Sequence, residues 1–145
     1  MRRGYCVAMS PSSRRVAVVQ MTSGDDRDRN LETAERWVRR AAADGADLVV
    51  LPEKWNLIDV GMRQAERAEE RDGPSLSAAA SWARECAVVL VAGSISERIA
   101  GDVRAFNTCV VFGTDGAALA TYRKIHLFDV EVGGQVFGTP SIRLF

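Results

Sequence analysis

Two charged residues in this sequence stand where an α/β protein would expose a ligand-contacting group. Leu48-Val49-Val50-Leu51 runs directly into Pro52-Glu53. A carboxylate there ends a buried strand at its carboxyl edge, where open α/β sheets gather their ligand sites. Taken alone, Glu53 reads first as a solvated loop residue after a proline-terminated strand. The second residue lies in Tyr122-Arg123-Lys124-Ile125-His126-Leu127-Phe128, which alternates so that Tyr122, Lys124, His126 and Phe128 share one strand face. A lysine in that position is buried, paired or functional, unless it only protects an edge strand from association. His126, the single histidine, has no acid spaced to orient it and reads as a packed or hydrogen-bonded residue.

The cysteines offer less. Cys6, Cys86 and Cys109 are three, with no C-x-x-C spacing, which argues against a disulfide framework and against a zinc site, and makes a reducing cytoplasm the default location. Cys86 closes an apolar helical stripe and Cys109 lies within Thr108-Cys109-Val110-Val111, settings typical of small buried hydrophobes. Neither offers the strand-to-helix turn or the cationic surroundings that activate a thiol. A metal is not expected. The 19 basic and 19 acidic residues cancel, so no net field draws nucleic acid or an anionic membrane, and a small molecule or another protein is the expected partner. No G-x-G-x-x-G, Walker loop or G-x-S-x-G elbow occurs, and the segment after the first strand, residues 22–29, is acidic rather than glycine-rich.

The elements that must hold these residues read as α/β. Val16-Ala17-Val18-Val19-Gln20-Met21 is a β-branched apolar run, as expected of a buried first strand. Asp25, Asp26 and Asp28 then precede Leu31, Ala34, Trp37, Val38, Ala41 and Ala42 at helical spacing, with Arg36, Arg39 and Arg40 late and Gly45 as the stop. With the strand at Leu48 this forms a strand-helix-strand crossover, which implies parallel pairing. Residues 55–71 begin with mixed aromatic and apolar residues and become strongly charged over 64–71, which reads as a solvated helix or loop. Asp72-Gly73-Pro74 opens a second helix with the stripe Leu76, Ala79, Ala80, Ala83 and Cys86, followed by the strand Ala87-Val88-Val89-Leu90-Val91-Ala92. Residues 106–112 and 117–127 form a hairpin about Gly113-Thr114-Asp115-Gly116, so the sheet is mixed. From Glu131 onward Gly133, Gly134, Gly138 and Pro140 break the pattern, and no further strand or helix is expected.

At 145 residues with 47% hydrophobic and 26% charged content, the chain suits one globular domain. Residues 1–14 read as a disordered extension: they are arginine- and serine-rich, with an apolar patch too short for a secretory signal. The longest apolar run elsewhere is far too short to span a bilayer.

In order along the chain, Val16-Ala17-Val18-Val19-Gln20-Met21, Gly45-Ala46-Asp47-Leu48-Val49-Val50-Leu51-Pro52-Glu53, Gly93-Ser94-Ile95-Ser96-Glu97-Arg98, Phe106-Asn107-Thr108 and Tyr122-Arg123-Lys124-Ile125-His126-Leu127-Phe128-Asp129 resemble the nitrilase, or carbon-nitrogen hydrolase, superfamily. The Arg-Lys-Ile-His-Leu-Phe-Asp wording is most similar to the Nit branch, which includes omega-amidases. The resemblance implies an α-β-β-α sandwich, of which this chain is the N-terminal half: a mixed sheet with helices on one face. It also implies a cysteine, glutamate and lysine triad acting on small amides, with Glu53 and Lys124 as two of its members. The family's cysteine is expected beyond residue 145.

The expected organisation is therefore an extension at 1–14, a partial hydrolase domain at 15–137 and a divergent tail at 138–145, where Gly138-Thr139-Pro140 departs from the Nit pattern as a frameshift or premature stop would. A half-sandwich leaves its inner sheet face open. Loss of amidase activity in the isolated chain is the expectation, with a homo-oligomer or a complementary fragment as partner; the alternative is a non-catalytic half-domain whose role is association.

Overall fold

The computed structural model describes residues 13–58, 66–102, 105–125, 129–132 and 135–138, the last two stretches as backbone. The expected extension thus lies outside the described residues except for its end, where the Arg14 guanidinium meets Asp47 at 3.1 Å. Among the described residues the core is a six-stranded mixed sheet with two helices. Strands β1 (Val16–Val18), β2 (Leu48–Val50) and β3 (Val89–Val91) pair in parallel, in register Val18 to Val50 to Val91. Helix α1 (Arg27–Ala43) forms the first crossover and α2 (Pro74–Cys86) the second. Asp26 caps α1 by accepting from the Arg29 N–H at 3.1 Å. At the other end Gly45 takes φ +83°, the left-handed conformation that glycine adopts without a Cβ penalty.

Alternation separates the two faces of the sheet. Ala17, Val49, Leu90 and Val110 pack on Ala34, Val38, Ala79 and Ala83 of the helices, and Trp55 stacks obliquely on Trp82 at 5.7 Å. The opposite face carries Val16 and Val18, 57% and 78% exposed, beside the half-buried Leu48, Val50, Val89 and Val91. Among the described residues, helices cover one face only. Trp37, expected in the helical stripe, lies 44% exposed instead, because α1 turns Asn30, Ala34 and Val38 inward.

The antiparallel part is richer than expected. Strand β5 (Ala105–Phe112) pairs with β3 at its end and with a short strand β4 (Ile95–Arg98) at its start, the register stepping by one residue between the two. Gly93 sits at the step with φ +50°, and a Cβ there would lie 1.9 Å from the Pro52 carbonyl oxygen. Only glycine lets the end of β2 press this closely on the β3–β4 junction. Strand β6 (Ala118–Arg123) returns along the other edge of β5, and the Lys124 N–H continues the ladder to the Asn107 carbonyl at 2.8 Å.

Two expectations fail. The stretch after Glu131 is not wholly irregular: β7 (Asp129–Val132) and β8 (Gln135–Gly138) pair antiparallel, so strand structure continues past the point where the glycines suggested it would end. The charged segment 66–71 is not wholly solvated either. Ala68 and Glu69 are buried, and Glu69 bridges to β4 through N–H and C=O bonds with Ser96 and Arg98. Its carboxylate accepts from Ser75 N–H at 2.8 Å, Ser75 Oγ at 2.5 Å and Asn56 Nδ2 at 2.9 Å. Arg27 Nε lies 2.9 Å away as a charge contact without hydrogen-bond alignment. Burial of this acid is tolerated because its oxygens are satisfied and a cation faces it.

Candidate active site

The chain leaves β2 through Pro52 and places Glu53 above the open end of the sheet. Lys124, 71 residues later, arrives at the end of β6. The two meet: Lys124 Nζ donates to Glu53 Oε1 at 3.1 Å. Asn107 Nδ2 donates to the same oxygen at 2.6 Å. Asn107 shares its strand face with Cys109 and Val111, the face the helices leave uncovered, so the cluster stands over that face. The Lys124 ammonium, and Asn107 after it, hold the Glu53 carboxyl below the usual carboxylate range against a partial desolvation. Glu53 is held from two sides.

Lys54, adjacent in sequence, turns the other way. It takes φ +53°, uncommon for a residue with a side chain. Its N–H bonds Ser94 Oγ at 3.2 Å and its ammonium bonds Ser96 Oγ at 2.5 Å. Burial pushes its pKa down to about 8; Glu53 opposes this and Lys124 reinforces it. The loop is anchored beyond by Trp55, whose ring N–H reaches the Ala92 carbonyl at 2.7 Å, and by Asn56 on Glu69.

Beneath the sheet a second cluster fixes β6. Arg123 grips Glu97 through two bonds, at 2.6 and 3.1 Å, and lies over the Phe106 ring at 4.2 Å, while Thr108 Oγ1 donates to Glu97 at 2.6 Å. Burial works against the charge on Glu97, yet the bonds from Arg123 and Thr108 outweigh it and keep the carboxyl below its usual range. Successive residues Arg123 and Lys124 therefore reach opposite faces, one to Glu97 and one to Glu53.

The sequence singled out both Glu53 and Lys124, and the fold brings them together. His126 and Phe128 lie outside the described residues. Neither Glu53 nor Lys124 is among the groups that act on the Cys86 and Cys109 thiols, and burial raises the pKa of both. Lys54, Ser96 and Asn107 were missed as site residues. Asn107 left a signal, a polar side chain inside an apolar strand, which requires a partner. Lys54 left only its position next to Glu53. Among the described residues no group of three or more His, Cys, Asp or Glu could hold a metal, and no helix is long and apolar enough to cross a membrane.

Residues 15–142 match the carbon-nitrogen hydrolase family. The chain belongs to that family. Among curated relatives of this carbon-nitrogen hydrolase, human omega-amidase NIT2 is 41% identical over 125 residues, covering 86% of this chain and 45% of the human protein. The chloroplastic omega-amidase of Arabidopsis thaliana is 37% identical over 126 residues, covering 83% of this chain and 34% of the plant protein. The chain thus spans less than half the length of these relatives. Among solved structures, the C. elegans NitFhit protein superposes with a TM-score of 0.76 at 30% identity, covering 87% of this chain and 31% of that one. Saccharomyces cerevisiae Nit3, a member of branch 10 of the nitrilase superfamily, superposes with a TM-score of 0.69 at 25% identity, covering 86% of this chain and 54% of that one. The nitrilase fold expected from the sequence is therefore the fold of this chain.

Proposed function

We propose that this chain supplies two members of a small-amide hydrolase site of the omega-amidase type, Glu53 as proton carrier and Lys124 as charge stabiliser, to a thiol outside residues 1–145. The observation that carries the reading is the Glu53–Lys124 contact at 3.1 Å, oriented by Asn107. In this scheme Glu53 takes the thiol proton as sulfur attacks the amide carbon. Lys124 stabilises the negative oxygen of the tetrahedral intermediate. Glu53 then gives the proton to the departing ammonia, and water cleaves the thioester. The route calls on no metal or organic cofactor. Free Cys86 and Cys109 suit a reducing compartment such as the cytoplasm.

The omega-amidase names of the relatives support a small-molecule amide as substrate. The 145-residue chain by itself is expected to release no ammonia from such amides, and to do so when combined with the cysteine-bearing half of a relative. Steady ammonia release by the purified chain alone would contradict the assignment of the thiol. A second reading, a non-catalytic half-domain that associates with a complementary fragment or a homologue, is favoured by the uncovered face of Val16 and Val18. Association without ammonia release in the combined sample would select it.

A further inference from the structure

We propose that Lys54 is a positioning residue of the Glu53–Lys124 pair: tethered through its backbone and its ammonium to β4, it fixes where residue 53 points and sets a second positive charge beside the Glu53 carboxylate. The inference rests on reading Glu53 and Lys124 as the reacting pair.

The geometry comes from one dipeptide strung between two strands. Glu53 reaches toward β5 and the end of β6, to Asn107 and Lys124, whereas Lys54 reaches to β4, bonding Ser94 through its N–H at 3.2 Å and Ser96 through its ammonium at 2.5 Å. Ser96 and Asn107 are direct partners across the β4–β5 pairing, so the two anchor points are neighbours in the sheet. A backbone with φ +53° at Lys54 turns the two side chains apart, and a side-chain-bearing residue holds that conformation only when its surroundings over-determine it. Two serine contacts at Lys54, the Trp55 bond to Ala92 and the close approach of Pro52 to Gly93 supply that constraint.

A lysine is a costly choice for a mere tether. Its ammonium is partly stripped of water, and a serine hydroxyl alone does not neutralise it. The charge also bears on Glu53, as the smallest of the influences that lower its carboxyl, after Lys124 and Asn107. Among the described residues, the charged groups acting on the Lys54 ammonium are Glu53 on its own turn and Lys124 at the end of β6, so one carboxylate lies in the field of two cations. The arrangement favours an ionised Glu53 before any thiol proton arrives. As pH rises through about 8, Lys54 loses its proton and Glu53 keeps only Lys124 as a cationic neighbour.

The test is a carbon-13 NMR titration of the labelled 145-residue chain that follows the Glu53 carboxyl. Lys54→Met is expected to move its midpoint upward by about 0.5 pH unit, roughly a threefold change in proton affinity, while Lys54→Arg leaves it near the wild-type value. Ser96→Ala, which keeps the charge and removes the tether, is expected to move it in the same direction by less. A merely structural lysine would alter unfolding but not this midpoint. An unmoved Glu53 in Lys54→Met, or an equal shift in Lys54→Arg, overturns the proposal. Should Lys54→Met lose its far-ultraviolet dichroism, Ser96→Ala decides, and an unmoved midpoint there is the contrary result. Because the readout is a titration, failure of the amide-hydrolase reading would appear separately, in ammonia release.

Discussion

Glu53 and Lys54 are neighbours whose ionisations both raise stability as pH rises, in separate windows, one acidic and one alkaline. Glu53 is held below its ordinary value, so its contribution is present above the usual carboxylate range and is lost as pH falls through the depressed value. The contribution is small, less than about 1 kcal/mol, because the Glu53 side chain is 58% exposed and Lys124 33%. Lys54 has the same sign in an alkaline window, but at neutral pH it costs stability rather than adding it. Its pKa falls from an ordinary 10.5 to about 8, so between those values the unfolded chain binds more protons than the folded one. The Lys54 contribution to stability therefore rises with pH from about 8 to 10.5, and its penalty is full below 8. Urea unfolding at pH 7, 8 and 9 is expected to show a midpoint gain in the wild type that Lys54→Met lacks; equal pH dependence in both would refute the assignment. Glu53 and Lys124 were legible in the sequence because each ends or interrupts an apolar run. Their contact spans 71 residues and was legible only through the order of family-like segments.

Elements are placed here by charges that look superficial in sequence. Ile95–Arg98 alternates in burial but not in residue type, and Glu97 is buried there with Arg123, from β6, brought beneath it. Arg123→Met leaves Glu97, a buried carboxylate, with Thr108 and a more distant Arg71 at 3.5 Å. A loss of about 3 kcal/mol in urea unfolding is expected, as for one partner removed from a buried pair. A change under about 1 kcal/mol would show that the pair does not anchor β6. The parallel strands were readable from β-branched runs, whereas β4, β7 and β8 were not, since charged and glycine-flanked strands owe their state to partners rather than propensity. Glu69 makes the same point in a loop: its neighbours are charged and exposed, yet its oxygens are taken by Ser75 and Asn56.

At the scale of the molecule, the sheet is finished on one side. Helices bury Ala17, Val49, Leu90 and Val110, while Val16, Val18 and Tyr122 face outward with more than half their surface accessible. A contiguous apolar sheet face of this kind favours association. Val18→Lys is expected to lower the self-association of the chain in sedimentation velocity, with little effect on far-ultraviolet dichroism; unchanged association would place the contact elsewhere. The same face carries the site, because Asn107 shares it with Cys109 and Val111. The most direct measurement is ammonia release from a small amide by this chain combined with the cysteine-bearing half of a relative, wild type against Glu53→Gln. Activity in the wild-type combination and a loss of at least about 100-fold with Glu53→Gln, in the range of a lost acid–base residue, is the expected result. Equal rates for the two would contradict the assignment of Glu53 as the proton carrier.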